Sequence, residues 1–142
     1  MPSNNAPILA CGDALDYPGT GSGASAARLH THVIVKIGDA DVYLIPISSE
    51  QANLDNTCVI KPGCGWSKIV KDSFVAYYHA KKVPKVGLES NIRAGIISYL
   101  GQIPPGVFDC IVAGIGTSPD SEPWFVRAVC PPPPRRILEA QN

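Results

Sequence analysis

Two apolar runs, Val33–Ile37 and Val42–Ile47, stand on either side of a Gly38-Asp39-Ala40-Asp41 turn, and no other feature limits the possible folds of this chain so strongly. β-branched runs joined by a short Gly/Asp turn predict a β-hairpin. Its second run carries Pro46 and leads directly into Ser48-Ser49, so that His32 to Ser49 reads HVIVKIGDADVYLIPISS. Paired hydroxyls at the end of such a hairpin place phosphate-handling or nucleophile-handling groups at one edge of a small barrel.

The rest of the chain bounds what that hairpin belongs to. A length of 142 residues fits one domain and suffices for a hydrophobic core without disulfide staples. Twelve Lys and Arg balance twelve Asp and Glu. Bulk charge therefore does not steer the molecule toward nucleic acid, and any such site has to be a local patch. No apolar run approaches the roughly 20 residues of a spanning helix. The start, MPSNNAPILACGDALDY, lacks the basic and apolar regions of a secretory signal. The expectation is a cytoplasmic protein with no membrane association. Cys11, Cys58, Cys64, Cys110 and Cys130 are odd in number, dispersed and without a CxxC pair, which argues against a disulfide framework in a reducing compartment. Cys110 lies in an apolar helical pattern and reads as a small core residue.

Residues 1–27 are rich in Gly, Ser, Ala, Asn and Pro and predict a flexible arm. The ordered domain is expected over 28–130. Strands are expected at Leu29–Ile37, Val42–Ile47, Cys58–Ile60 and Ser73–His79, and a last short one at Trp124–Val129. Gly95–Ile103 fits strand and helix alike. Helical spacing of Phe108, Ile111, Val112 and Ile115, with Pro105 at the entry and glycines at the exit, predicts one helix over Pro105–Ile115. Four prolines, 131–134, open a stiff polyproline-like tail over 131–142; followed by Arg135-Arg136, they also suit an aromatic groove on a partner. Many short strands with a single late helix predict a mainly β fold, a small antiparallel barrel.

In order, LIPISS (Leu44–Ser49), SFVAYYHAKKVPK (Ser73–Lys85) and YLGQIPPGVFDCIVAGI (Tyr99–Ile115) resemble the successive motifs of the MazF/PemK family of toxin–antitoxin toxins. The resemblance spans about Leu29 to Ile115. It implies an SH3-like barrel, a homodimer, a cognate antitoxin protein as partner, and metal-independent endoribonuclease activity on single-stranded RNA that inhibits growth, with no cofactor. It assigns Ser48 to the family's catalytic Ser/Thr position. Where the family has a catalytic arginine, this chain has His30-Thr31-His32, with Arg28 slightly earlier.

The residues themselves supply candidates for that chemistry. Positions i and i+2 of a strand face one side, so His30 and His32 can act together as base and acid in cleavage of RNA by its own 2′-hydroxyl; the alternative is two polar residues on a solvated strand start. Ser48 and Ser49 suit a phosphate oxygen, or else a turn or cap. Lys68, Lys71, Lys81, Lys82 and Lys85 are interleaved with Trp66, Tyr77 and Tyr78. Charge beside aromatic faces suits single-stranded RNA, with Trp66, Lys68, Lys71, Tyr78, Lys81 and Lys82 as the binding set; a solvated charged face is the other reading. Cys58, Cys64 and His79, with His30 or His32, have the right types for zinc, but C-x5-C is not the spacing of a zinc knuckle, and no metal is expected. The same barrel without nuclease activity, binding a protein or nucleic acid through its groove, is the alternative to the enzyme.

Overall fold

The computed structural model describes residues 8–18, 29–49 and 55–130. The expected tail, 131–142, lies outside the described residues, as do 1–7 and 19–27 of the expected arm and residue 28. The elements are β1 (Asp13–Pro18), β2 (Leu29–Ile37), β3 (Asp41–Ser48), β4 (Val59–Ile60), β5 (Ser73–Val75), a 3-10 turn (Tyr77–His79), β6 (Lys81–Pro84), α1 (Lys85–Arg93), β7 (Ser98–Gln102), α2 (Pro105–Ile115) and α3 (Pro123–Val129).

The hairpin forms as its sequence requires. β2 and β3 pair antiparallel with Val33 opposite Ile45 and Ile37 opposite Val42, and the turn is closed by the Gly38 N–H donating to the Asp41 carbonyl at 2.8 Å. Among the described residues every strand pair is antiparallel, in the order β4-β5-β3-β2-β1-β7, with β6 also on β3. Pro46 marks where β3 changes partner. Asp41–Leu44 pair with β6, whereas Ile47 and Ser48 pair with β5. A proline has no N–H to donate, so the ladder breaks there, and the Pro46 carbonyl instead accepts from the Ala76 N–H at 2.9 Å. This order leaves β4 and β7 as the ends of an open sheet, in place of the expected closed ring.

Both faces of the sheet are covered, which is why β3 reads as a nearly unbroken apolar run instead of alternating. One face buries Val33, Ile45, Ile47 and Val75 against Val107, Ile111 and Ile115 of α2 and Phe125 of α3. The other buries Leu15, Ile34, Val42, Leu44 and Val83 against Leu88 of α1 and Ile97.

Several expectations are corrected. The arm was expected to reach residue 27, yet Asp13–Pro18 is an internal strand between β2 and β7. Leu15 and Ala14 alternate onto the two cores, and that burial outweighs the Gly- and Ser-rich surroundings. A single helix was expected; the described residues hold three α-helices. Lys85–Arg93 is held by one buried side chain, Leu88, too little to mark a periodicity. Trp124–Val129 was read as a strand from its apolar composition, but Pro123 at the first helical position starts a helix, and Phe125 meets Tyr43 edge-on at 6.0 Å. The expected strand Ser73–His79 stops at Val75 and tightens into the 3-10 turn. Gly95–Ile103 resolves as strand over Ser98–Gln102 only, and Gly101, at φ 90° beside the β1–β7 register shift, takes a conformation that other residues rarely adopt. Cys110, expected in the core, is exposed, on a groove that it lines together with Val59, Ile60 and Val107. No helix among the described residues is long and apolar enough to cross a membrane.

Candidate functional site

The register that sets His32 opposite Pro46 carries the same two strands on to His30 and Ser48 at one end of the sheet. The connection from β4 to β5 forms the rest of a cleft of about 220 Å³, lined by His30, Thr31, Ser48, Trp66, Lys68 and Lys71, with Ile47, Ser49, Ile69, Val70 and Ser73 completing it. Ile69 is buried in the first core and its N–H donates to the Trp66 carbonyl at 3.0 Å. A Lys61–Asp72 ion pair of 3.0 Å joins the two ends of this connection. Trp66 packs part of its ring on the same core.

One carboxylate organises the polar groups. Asp16 of β1 accepts a hydrogen bond from the Thr31 hydroxyl at 3.1 Å and stands 3.8 Å from the Lys68 ammonium. The Lys68 side chain is 42% exposed, so the pair adds little stability but tethers a cation beside the cleft. The Ser73 hydroxyl donates to the Lys71 carbonyl at 3.1 Å. Asp16 was not singled out from sequence, and Thr31 only as the residue between two histidines. Alternation within DALDYP was the available signal, and the assignment of that stretch to an arm hid it.

The structure therefore gathers His30, Ser48, Trp66, Lys68 and Lys71 into one place and leaves the other candidates elsewhere. His32 is fully buried, opposite Leu15 and 5.2 Å from the Tyr17 ring, and is not part of the cleft. Its Nδ1 lies 2.9 Å from the His30 carbonyl oxygen. A carbonyl only accepts, so Nδ1 carries the proton and Nε2, which has no partner, is the bare nitrogen. Burial, reinforced by the charge of Lys81, outweighs the hydrogen bond to His30 and holds this imidazole down at about 3. The pairing of His30 and His32 as acid and base is thus not assembled: alternation puts both on one face, but His32 lies two residues deeper, about 6.6 Å along the strand. Lys81 sits with its ammonium 4.7 Å above the Tyr17 ring centre, where burial lowers its proton affinity. Tyr78 is exposed and meets His79 edge-on at 5.3 Å. Lys82 is exposed on β6, opposite Tyr43.

Cys58, Cys64 and the histidines do not form a metal centre: among the described residues, no group of three or more His, Cys, Asp or Glu is placed to hold an ion. Compared with known proteins, the chain matches no protein-family model and no curated protein sequence.

Proposed function

We propose that the cleft binds single-stranded RNA and that the chain is a MazF/PemK-like endoribonuclease built on an SH3-type β scaffold. The observation that supports this reading is the convergence of an imidazole, a serine hydroxyl, two lysines and an indole in one cleft of about 220 Å³. Lys68 and Lys71 match a phosphate, and Trp66 offers a stacking face for a base. His30 accepts the proton of a ribose 2′-hydroxyl; the oxygen attacks phosphorus, the bond to the 5′ oxygen breaks, and that oxygen takes a proton from water. The products are a 2′,3′-cyclic phosphate and a free 5′-hydroxyl. Ser48 holds a phosphate oxygen. A homodimer, a cognate antitoxin and a cytoplasmic site of action belong to the same proposal.

The test uses the purified chain and a labelled single-stranded RNA, with EDTA present. Cleavage with cyclic-phosphate ends is expected, with no cleavage of the all-deoxy analogue. His30→Ala is expected to slow it by about 100-fold or more, the usual contribution of a general base. RNA left intact by the unmodified protein overturns the nuclease reading.

The burial of His32 favours a second reading, since it leaves one imidazole where two were expected. Here the same cleft holds RNA without cutting it. Intact RNA that is nevertheless bound, seen by fluorescence anisotropy, is its signature. Under either reading Lys68→Ala is expected to lower the slope of log affinity against log salt by about 0.7, the value of one phosphate contact on a single strand. It should shift thermal stability little.

A further inference from the structure

Away from the cleft, two thiols meet. Cys58, beside β4, is buried, and Cys110, on α2, is exposed; their sulfurs are 2.6 Å apart. Their sequence context offers Cys58 as a possible zinc ligand and Cys110 as a small core residue, and the two are separated by 52 positions. The outer side of this pair opens on a groove of about 220 Å³, lined by Val59, Ile60, Lys61, Cys64, Gly106, Val107 and Cys110. An exposed cysteine on a groove, with a second, buried cysteine in sulfur contact behind it, is the arrangement of an attacking and a resolving cysteine.

We propose that Cys58 and Cys110 are a dithiol–disulfide redox site, oxidised by a small-molecule disulfide that enters by this groove. In the first step the Cys110 thiolate attacks one sulfur of the disulfide, whose other half leaves as a thiolate. In the second, the Cys58 sulfur attacks Cys110, and the second half leaves. Two protons pass from the protein thiols to the two released small thiols, so the protein loses two hydrogens and the reagent gains them. Order follows from environment: burial and the neighbouring thiol push the Cys58 thiol up, so it does not begin the exchange. In a reducing compartment the pair stays as thiols, and the bond forms on oxidation. The product ties β4 to α2 and closes a long loop of chain, so the unfolded state loses more freedom than the folded one.

The full chain is incubated with glutathione disulfide, quenched with N-ethylmaleimide, and analysed by intact mass and non-reducing peptide mapping. The expected result is a protein lighter by two hydrogens before alkylation, a cross-linked peptide joining Cys58 to Cys110, and a midpoint of thermal unfolding raised by about 5 °C or more relative to the reduced protein. Cys110→Ser should abolish the cross-link and the rise, and Cys64→Ser should preserve both. Glutathione retained on Cys110 with Cys58 still alkylated, or a cross-link that uses Cys64, overturns the assignment. RNA cleavage plays no part in these readouts, so the redox site stands or falls apart from the nuclease.

Discussion

Lowering the pH from 7 to 5 is expected to cost the folded protein about 2 kcal/mol through His32 alone. Unfolded, this imidazole titrates at its ordinary 6.5; folded, it is held at about 3. Between those values the unfolded chain binds a proton that the native state refuses. Stability therefore rises with pH across that window and is lost as pH falls, approaching 4–5 kcal/mol, roughly 1.4 kcal/mol per unit of separation, below about pH 3. The physical cause is local. A protonated ring would have to place charge on Nε2, which is buried with no acceptor, close to the Lys81 ammonium. Urea unfolding at pH 7, 6 and 5 measures the effect. His32→Leu should flatten the pH dependence in this range, whatever it does to stability at pH 7. An unchanged slope in that variant would place the acid sensitivity in another group.

Gly114→Ala is expected to destabilise the protein by about 3 kcal/mol, combining overpacking with loss of a buried hydrogen bond. Gly114 is buried in α2, and a methyl group there would overlap the hydroxyl and ring of Tyr77. That ring is 1% exposed and locked in the first core. Its hydroxyl donates to the Ile111 carbonyl at 2.7 Å, so it cannot retreat without breaking that bond. Gly106, in the same helix, has nothing within 4 Å of the position a methyl would take. Gly106→Ala should therefore be neutral or stabilise by up to about 1 kcal/mol, the ordinary preference of a helix for alanine. Pairing Gly114→Ala with Tyr77→Phe checks the mechanism. The double variant should lose less than the sum of the two single losses, because the atom that clashes and bonds is already gone. Strict additivity in denaturation would mean that the two residues do not meet.

How far the chain could be read depended on whether burial was local. The β2–β3 hairpin and α2 carry their instructions within a few residues: β-branched runs with a Gly/Asp turn, and apolar positions at helical spacing after Pro105. β1, α1 and α3 do not. Each buries only one or two apolar side chains, Leu15 with Ala14, Leu88, and Phe125, against partners distant in sequence. Composition then pointed to an arm, to no element at all, and to a strand.

The candidate site divides in the same way. Residue types and order in the chain, with the family resemblance, picked out His30, Ser48, Trp66, Lys68 and Lys71, and these five share one cleft. Alternation along β2 also put His30 and His32 on one face. Depth was decided only in three dimensions. Leu15 and Pro46 flank His32 across the sheet and Tyr17 packs on its ring, while His30, two residues nearer the strand end, stays at the cleft. Asp16 became part of the site because β1 lies beside β2, and Cys58 and Cys110 became a pair because α2 packs over β4 and β5. The sequence by itself determined the hairpin, the principal helix and the chemistry on offer. Which groups stand together and which are sealed from water was left to the packing of distant elements, because short strands and half-buried helices take their positions from long-range contacts that no local pattern encodes.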